Sequence, residues 1–575
     1  MAHTFDLVVR GGTVADGTGS PLREADVAVD GGTVAAVGRV GGAGREEIDA
    51  RGLLVTPGVV DVHTHYDGQA TWDERLVPST WHGVTTVVMG NCGVGFAPVR
   101  PEDRDRLIEL MEGVEDIPGA ALHEGLDWRW QSFPEYLDAL ERRRFDADVG
   151  AQLPHGALRL HVMSERGARL EPATRDDVAQ MRRLAAEAMR AGALGFSTSR
   201  TLNHRTVKGD PTPSLRATEE ELTGIALGLG DAGTGVIEMI SDFDTPDEET
   251  EFALIRRIVA ASGRPLSLSL AQAHGAPQGW RSLLARVGRA AADGLPIKAQ
   301  VAPRPIGTLY GLQSSLHPFC MHPSYREIAR EPLEQKLATL RDPAFRARLL
   351  VEAPDARSRR LVRMLTDFAR MFPLGATPDY EPPREASLAA IAAREGRSPA
   401  EVCYDLLLDG DGRGFLFAPF SNYAELSLDA CGEMMRDPHT VLGLGDGGAH
   451  VGLISDASFP TTLLAHWGRD RARGRIDLPT LVRKQCADTA RAVGLLDRGV
   501  LVPGMKADVN VIDFDALAVE VPVMAFDLPA GGKRLLQRAR GYRATIVSGE
   551  VVRRDGEETG ARPGRLVRGA QPPPG

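Results

Sequence analysis

Cysteine is scarce in this 575-residue chain: Cys92, Cys320, Cys403, Cys431 and Cys486 are odd in number and scattered. That excludes a disulfide framework and points to a reducing compartment, so the expected location is cytoplasmic. Basic charge is also short, since 67 Lys and Arg against 78 Asp and Glu leave a net charge of −11 and no basic surface for nucleic acid. No window reaches the ~18 apolar residues of a membrane span. Met1 to Arg10 lacks the basic start and apolar core of an export signal. Neither nucleic acid nor membrane is expected as a partner, and no short-period repeat is present. What remains, 43% hydrophobic and 25% charged residues, is the composition of an ordinary globular protein. The length calls for one large domain of about 250 to 400 residues and a smaller one.

From Phe5 to Ala50 short β-type runs alternate with glycine turns, and the same texture returns in Ala507 to Asp513 and Arg543 to Val552. The two ends are expected to build one β domain together. Between them, apolar β-type runs alternate with charged helical segments, the pattern of βα units around a parallel sheet. The candidate strands are Val55 to Val62, Thr85 to Met89, Val149 to Leu153, Gly195 to Thr198, Val236 to Ile240, Leu266 to Leu270, Ile297 to Val301 and Val441 to Leu444. One clear helix runs from Thr174 to Arg190, with Thr174 as N-cap, acids in its first turn and Gly192 past its end. The expected fold is α/β: a (β/α)8 TIM-like barrel over 58–495, with a small β-sandwich domain formed by both chain ends (1–57 and 496–575). An insertion of about 303–438 between the last two strands, with helical runs such as Leu333 to Thr339 and Leu388 to Arg394, is too long for a plain connection and is placed to cover the barrel mouth.

In such a barrel, chemistry sits where strands end. The first run ends in Asp61-Val62-His63-Thr64-His65; residues i and i+2 of a strand share a face, so both imidazoles can reach one metal ion, and imidazole suits zinc. The second ends in Gly90-Asn91-Cys92-Gly93, offering a thiolate to the same ion. The last runs into Gly445-Asp446-Gly447-Gly448-Ala449-His450, where Asp446 is the candidate general base and His450 either orients it or touches substrate. The alternative for each is structural: satisfied histidines, a small buried thiol, an Asp capping a glycine-rich turn. Cys320, Cys403, Cys431 and Cys486 lack ligand spacing and are expected in the core.

Taken together, these motifs resemble the amidohydrolase superfamily, specifically its D-aminoacylase (N-acyl-D-amino-acid deacylase) branch. The resemblance covers nearly the whole chain. It includes Gly156-Ala157-Leu158-Arg159, Ala191 to Thr198, Gly494-Leu495-Leu496-Asp497-Arg498-Gly499, Pro503-Gly504-Met505-Lys506-Ala507-Asp508 and Gly560 to Arg565. It implies a zinc-dependent hydrolase of a linear, non-peptide amide, with His63, His65, Cys92 and Asp446 at the metal, Asp446 as general base and a small-molecule amide as substrate. His155 or Arg200 would hold the oxyanion.

The family also carries a histidine ligand at the end of the fifth strand and another at the sixth. Here Glu238 or Asp242 stands nearest the first position, and Gln272, with His274 two residues on, at the second. The expectation is one zinc ion rather than two, on His63, His65, Cys92 and Asp446, assisted by Glu238 or His274. The family's lysine and arginine for a substrate carboxylate are also missing, because Leu270 to Gly275 and Gly447 to Ser458 contain neither residue; Arg304 or Arg200 would substitute. The rival readings are a cyclic amide or imide hydrolase or a lyase on the same barrel, and a non-catalytic binding relative that has lost part of its metal site. Oligomeric state is not readable.

Overall fold

In the computed structural model, which describes residues 4–244, 247–355 and 359–575, eight parallel strands carry the candidate site. They are β1 (Val59–Asp61), β2 (Val84–Met89), β3 (Asp148–Pro154), β4 (Gly195–Arg200), β5 (Val236–Ser241), β6 (Leu266–Ser269), β7 (Ile297–Val301) and β8 (Thr440–Leu442), paired in that order. Every residue of β2 and β3 is buried, as parallel strands covered on both faces require. The first and last strands meet just beyond their ends: the Asp446 N–H donates to His63 O (3.0 Å) and the His65 N–H to Gly447 O (2.7 Å). The closing contact of the ring is therefore made by the residues that carry the candidate ligands.

The run expected as one strand from Val55 to Val62 is two. Leu54–Pro57 belongs to a different sheet, antiparallel to Val509–Ile512, and β1 begins only at Val59. Pro57 has no N–H for a ladder, and Gly58 passes so close to β2 that a Cβ there would lie 2.1 Å from Thr85 Oγ1. The Pro-Gly pair thus hands the chain from one sheet to the other.

That other sheet has nine strands drawn from both chain ends: Thr4–Val14, Arg23–Asp30, Thr33–Gly38, Ala43–Asp49 and Leu54–Pro57, then Val509–Ile512, Tyr542–Val547, Glu550–Arg554 and Glu557–Glu558. Thr4–Val14 changes neighbours at a bulge between Val9 and Gly12, lying along Ala43–Asp49 before it and along Leu54–Pro57 after it. Leu7, Val9, Val27, Val509, Val511 and Ile546 form its own core. It is fastened to the barrel by Arg498, whose guanidinium meets Asp148 of β3 (2.7 Å) and Thr86 of β2 (3.0 Å), with Lys506 3.2 Å from the same Asp148. The helix expected from Thr174 runs over Arg175–Ala191, its N-cap Thr174 in a reciprocal capping box with Asp177.

Between β7 and β8 the insertion folds into a small antiparallel sheet (Ile306–Tyr310, Phe415–Ser421, Phe372–Leu374) and helices that include Leu333–Leu340 and Leu388–Glu395. It has its own core around Tyr310, Leu337, Leu388 and Tyr404. Its backbone bonds the loop after β8 (Leu309 N–H to Leu453 O, 2.7 Å), its Asn422 takes the Gln272 N–H after β6 (2.8 Å), and Arg360 reaches Asn203 after β4 (3.3 Å). These contacts set it over the end of the barrel where the strands stop. No helix among the described residues is long and apolar enough to cross a membrane.

Candidate metal centre

His63 and His65 lie just past β1 rather than in it, on chain that stays extended enough to bridge Thr64 to Gly447, so both rings still point the same way. Each is 1% exposed. The Asp61 carboxylate accepts the His63 N–H (3.1 Å) and steadies the turn out of the strand. Cys92, after β2, brings its Sγ to 3.3 Å from His63 Nε2. The ligand atoms of His63, His65 and Cys92 all lie within 4.8 Å of one another. Asp446, after β8, sets Oδ1 at 3.4 Å from His63 Nε2 and 3.7 Å from His65 Nε2. Cys92 (φ 54°) and Asp446 (φ 47°) both sit in the left-handed region, a strain that surrounding structure must hold in place. Gly90 makes the Cys92 turn possible: its φ is +82°, and a Cβ would lie 2.3 Å from Gln152 O.

Behind these groups lies a layer of which the sequence offered only Glu238 and His450. His63 Nδ1 is 2.7 Å from Gln300 Oε1, and Gln300 in turn donates to Ser267 Oγ (2.8 Å); an amide oxygen only accepts, so Nδ1 carries the proton and Nε2 presents its lone pair. His65 Nδ1 is 3.3 Å from Glu115 Oε1, and Glu115 Oε2 is 3.6 Å from His450 Nε2. Glu238 accepts the Cys92 N–H through Oε2 (2.8 Å), while its Oε1 has no hydrogen-bond partner. His204, with Nδ1 2.9 Å from Ser199 Oγ, feels the charges of His450, His65, Asp446 and His63. A glutamine inside the mostly apolar strand Ile297–Val301 was the one available signal for Gln300; Glu115 had none.

Most of the remaining expected residues are engaged elsewhere. Gln272 accepts the Ala424 N–H (3.0 Å) and donates to Pro277 O (3.2 Å), facing the insertion. His274 stands outside the cluster, with Arg370 as the charge acting on it. Asp242 holds Thr201 Oγ1 (2.5 Å) and the Leu202 N–H (2.8 Å). Both ring nitrogens of His155 are used, by Thr198 (2.8 Å) and Glu221 (2.9 Å), and Arg200 is paired with Glu251 (2.5 and 3.0 Å). Arg304, 1% exposed, donates from Nη2 to Ser455 O and Asp456 Oδ1 (both 2.7 Å) and stacks 3.7 Å over Tyr380.

The electrostatics favour a cation. Burial lowers His65 to about 4, so its ring is neutral near pH 7 and able to ligate. Burial pushes the Cys92 thiol well up, and Glu238, Glu115 and Asp446 push it further, so only added positive charge would make it a thiolate. Burial likewise raises Glu238 to about 7. Asp446 behaves differently: burial raises it, but His65, His63 and His450 together outweigh burial and hold it well below the usual carboxylate range. No lysine or arginine is among the charges that shift any of these groups. Two imidazoles, a thiol, the free Glu238 oxygen and an ionised Asp446 are a donor set that fits zinc or a similar divalent ion.

A profile of the amidohydrolase family matches residues 46–553. The chain is 34% identical over 233 residues to a D-aminoacylase of Alcaligenes xylosoxydans xylosoxydans (40% of this chain, 43% of that protein) and 37% identical over 194 residues to its N-acyl-D-aspartate deacylase (34% and 36%). In these alignments it spans less than half the length of either relative. A solved D-aminoacylase, one described as having a binuclear metal centre with one-metal activation, superimposes with a TM-score of 0.64 at 25% identity over 98% of this chain and all of that one. With most of its length matched by the family profile, this chain belongs to the amidohydrolase family.

Proposed function

We propose that this chain hydrolyses the linear, non-peptide C–N bond of a small N-acyl amino acid, as the D-aminoacylases do, with one zinc ion and in the cytoplasm. The observation that carries the reading is the meeting of His63, His65 and Cys92 ligand atoms within 4.8 Å, with Asp446 Oδ1 at 3.4 and 3.7 Å from the two imidazoles. These four residues would hold the ion, with the free oxygen of Glu238 beside them. When bound, the ion supplies Lewis-acid polarisation of the amide carbonyl and acidifies water.

Asp446 is ionised in this setting and accepts the proton of the attacking water, then delivers it to the leaving nitrogen. His204 and His450, whose charges act on the same cluster, are the groups we assign to a substrate oxygen. Arg304 is the cation we assign to a substrate carboxylate, since its Nε and Nη1 have no hydrogen-bond partner and Asp456, which holds its Nη2, feels the Asp446 charge. Elemental analysis of protein purified without chelator is expected to find about one zinc per chain, lost when His63 and His65 are both changed to Ala. Initial rates on N-acyl-D-amino acids should exceed those on hydantoins and dihydropyrimidines. No bound metal, or turnover of the cyclic amides alone, would overturn the reading.

A further inference from the structure

We infer that Glu115 is a positioning residue of the metal centre, setting the tautomer of His65 and tying His450 to it. The inference rests on the metal-binding reading above. Glu115 ends the helix Arg104–Glu115, far from any motif, and is 1% exposed. A carboxylate this deeply buried loses several kcal/mol of hydration, and among the described residues its ion-pair partners are two histidines alone: His65 Nδ1 at 3.3 Å and His450 Nε2 at 3.6 Å.

His65 can offer the Nε2 lone pair only if Nδ1 keeps its proton. Nε2 is the atom facing Asp446, and Nδ1 has no competing acceptor: its contact with Glu115 is off hydrogen-bond alignment, and nothing else bonds it. His63 shows the same arrangement with a different partner, Nδ1 on Gln300 at 2.7 Å. The tandem imidazoles are therefore each backed by an oxygen, one of an amide in hydrogen-bond contact and one of a buried carboxyl at ion-pair distance. The second oxygen of Glu115 reaches His450, four residues beyond Asp446, and its carbonyl takes the Val451 N–H (3.2 Å). Glu115 thus ties the first-strand ligand to the last-strand loop.

The test is a Co²⁺ titration of the metal-free chain, followed by the cobalt absorption bands that report thiolate and imidazole ligation. Glu115→Gln keeps volume and reach, and a neutral amide is cheaper to bury than a carboxylate, so the chain folds; its Oε1 still stands beside His65 Nδ1. Glu115→Asp keeps charge and loses reach. We expect Glu115→Gln to bind Co²⁺ within about threefold of wild type, and Glu115→Ala and Glu115→Asp to bind about 10- to 100-fold more weakly with altered bands. Wild-type affinity and spectrum in Glu115→Ala would overturn the inference while leaving the functional reading intact. So would a tight Asp variant beside a weak Gln variant, which would make charge rather than position the operative property. A wild-type chain that takes up no Co²⁺ would overturn both.

Discussion

Asp446→Asn should separate chemistry from folding. The substitution removes one charge and keeps shape, and it does so at a residue with φ 47°, a conformation that asparagine adopts about as readily as aspartate. No backbone strain is added. The carboxylate lies 3.4 and 3.7 Å from the two imidazoles, which hold it ionised against burial, so losing the charge should cost about 1 to 3 kcal/mol of stability, or several degrees of melting temperature. Three donors remain on His63, His65 and Cys92, enough for a zinc site. What is lost is the base. Positioned general bases contribute 10²- to 10⁴-fold, so kcat should fall by that factor, about 3 to 5 kcal/mol of barrier. The assay is initial rate on the best N-acyl amino acid, with zinc content and a melt on the same preparation. Turnover within tenfold of wild type, at equal zinc content, would refute the role of Asp446. Loss of zinc together with loss of folding would refute the claim that the fold tolerates the change.

Three further outcomes test the scaffold. Gly90→Ala should lower the melting temperature and weaken Co²⁺ binding together, because its Cβ would meet Gln152 O at 2.3 Å and any shift is passed to Cys92 two residues on; a normal melt would show the turn to be slack. Arg498→Met leaves Asp148 with only Lys506 as a basic partner; breaking a buried pair in this way costs about 3 kcal/mol or more, read as an earlier urea midpoint, and a loss under about 1 kcal/mol would mean that Lys506 alone suffices. Glu381 joins the insertion to His466 (2.8 Å) and Arg471 (2.8 and 2.9 Å); burial alone would raise its pKa, but those partners outweigh it and bring it to about 2. A carboxyl depressed in the folded state stabilises above its unfolded pKa of about 4.5 and loses that contribution as pH falls toward 2. The gap in urea midpoint between wild type and Glu381→Gln should therefore shrink between about pH 5 and 3, and a constant gap would contradict the assignment.

Much of the architecture was legible along the chain. Eight apolar runs at βα spacing, the texture shared by the two ends and the capped helix beginning at Arg175 are local patterns, and local patterns are written in consecutive residues. His63 and His65 belong to this class, since their one-residue spacing alone aims them together, and Cys92 and Asp446 are marked by the glycines their backbones need. The break of the first run at Pro57-Gly58 was not legible, because it depends on how near β2 passes. Nor was most of the layer behind the ligands. Gln300 and Glu115 carry no motif, and they act only because the barrel brings a residue 237 positions from His63, and another 50 from His65, against the rear nitrogens of the two rings. Arg200 and His155 show the converse: the sequence presents them as free polar groups near strand ends, while the fold pairs each with a carboxylate, Glu251 and Glu221, that no spacing connects to them. The sequence by itself determined which atoms could bind a metal ion; the tertiary structure decided which of them face one another, because side chains remote in sequence meet only when the ring of strands closes.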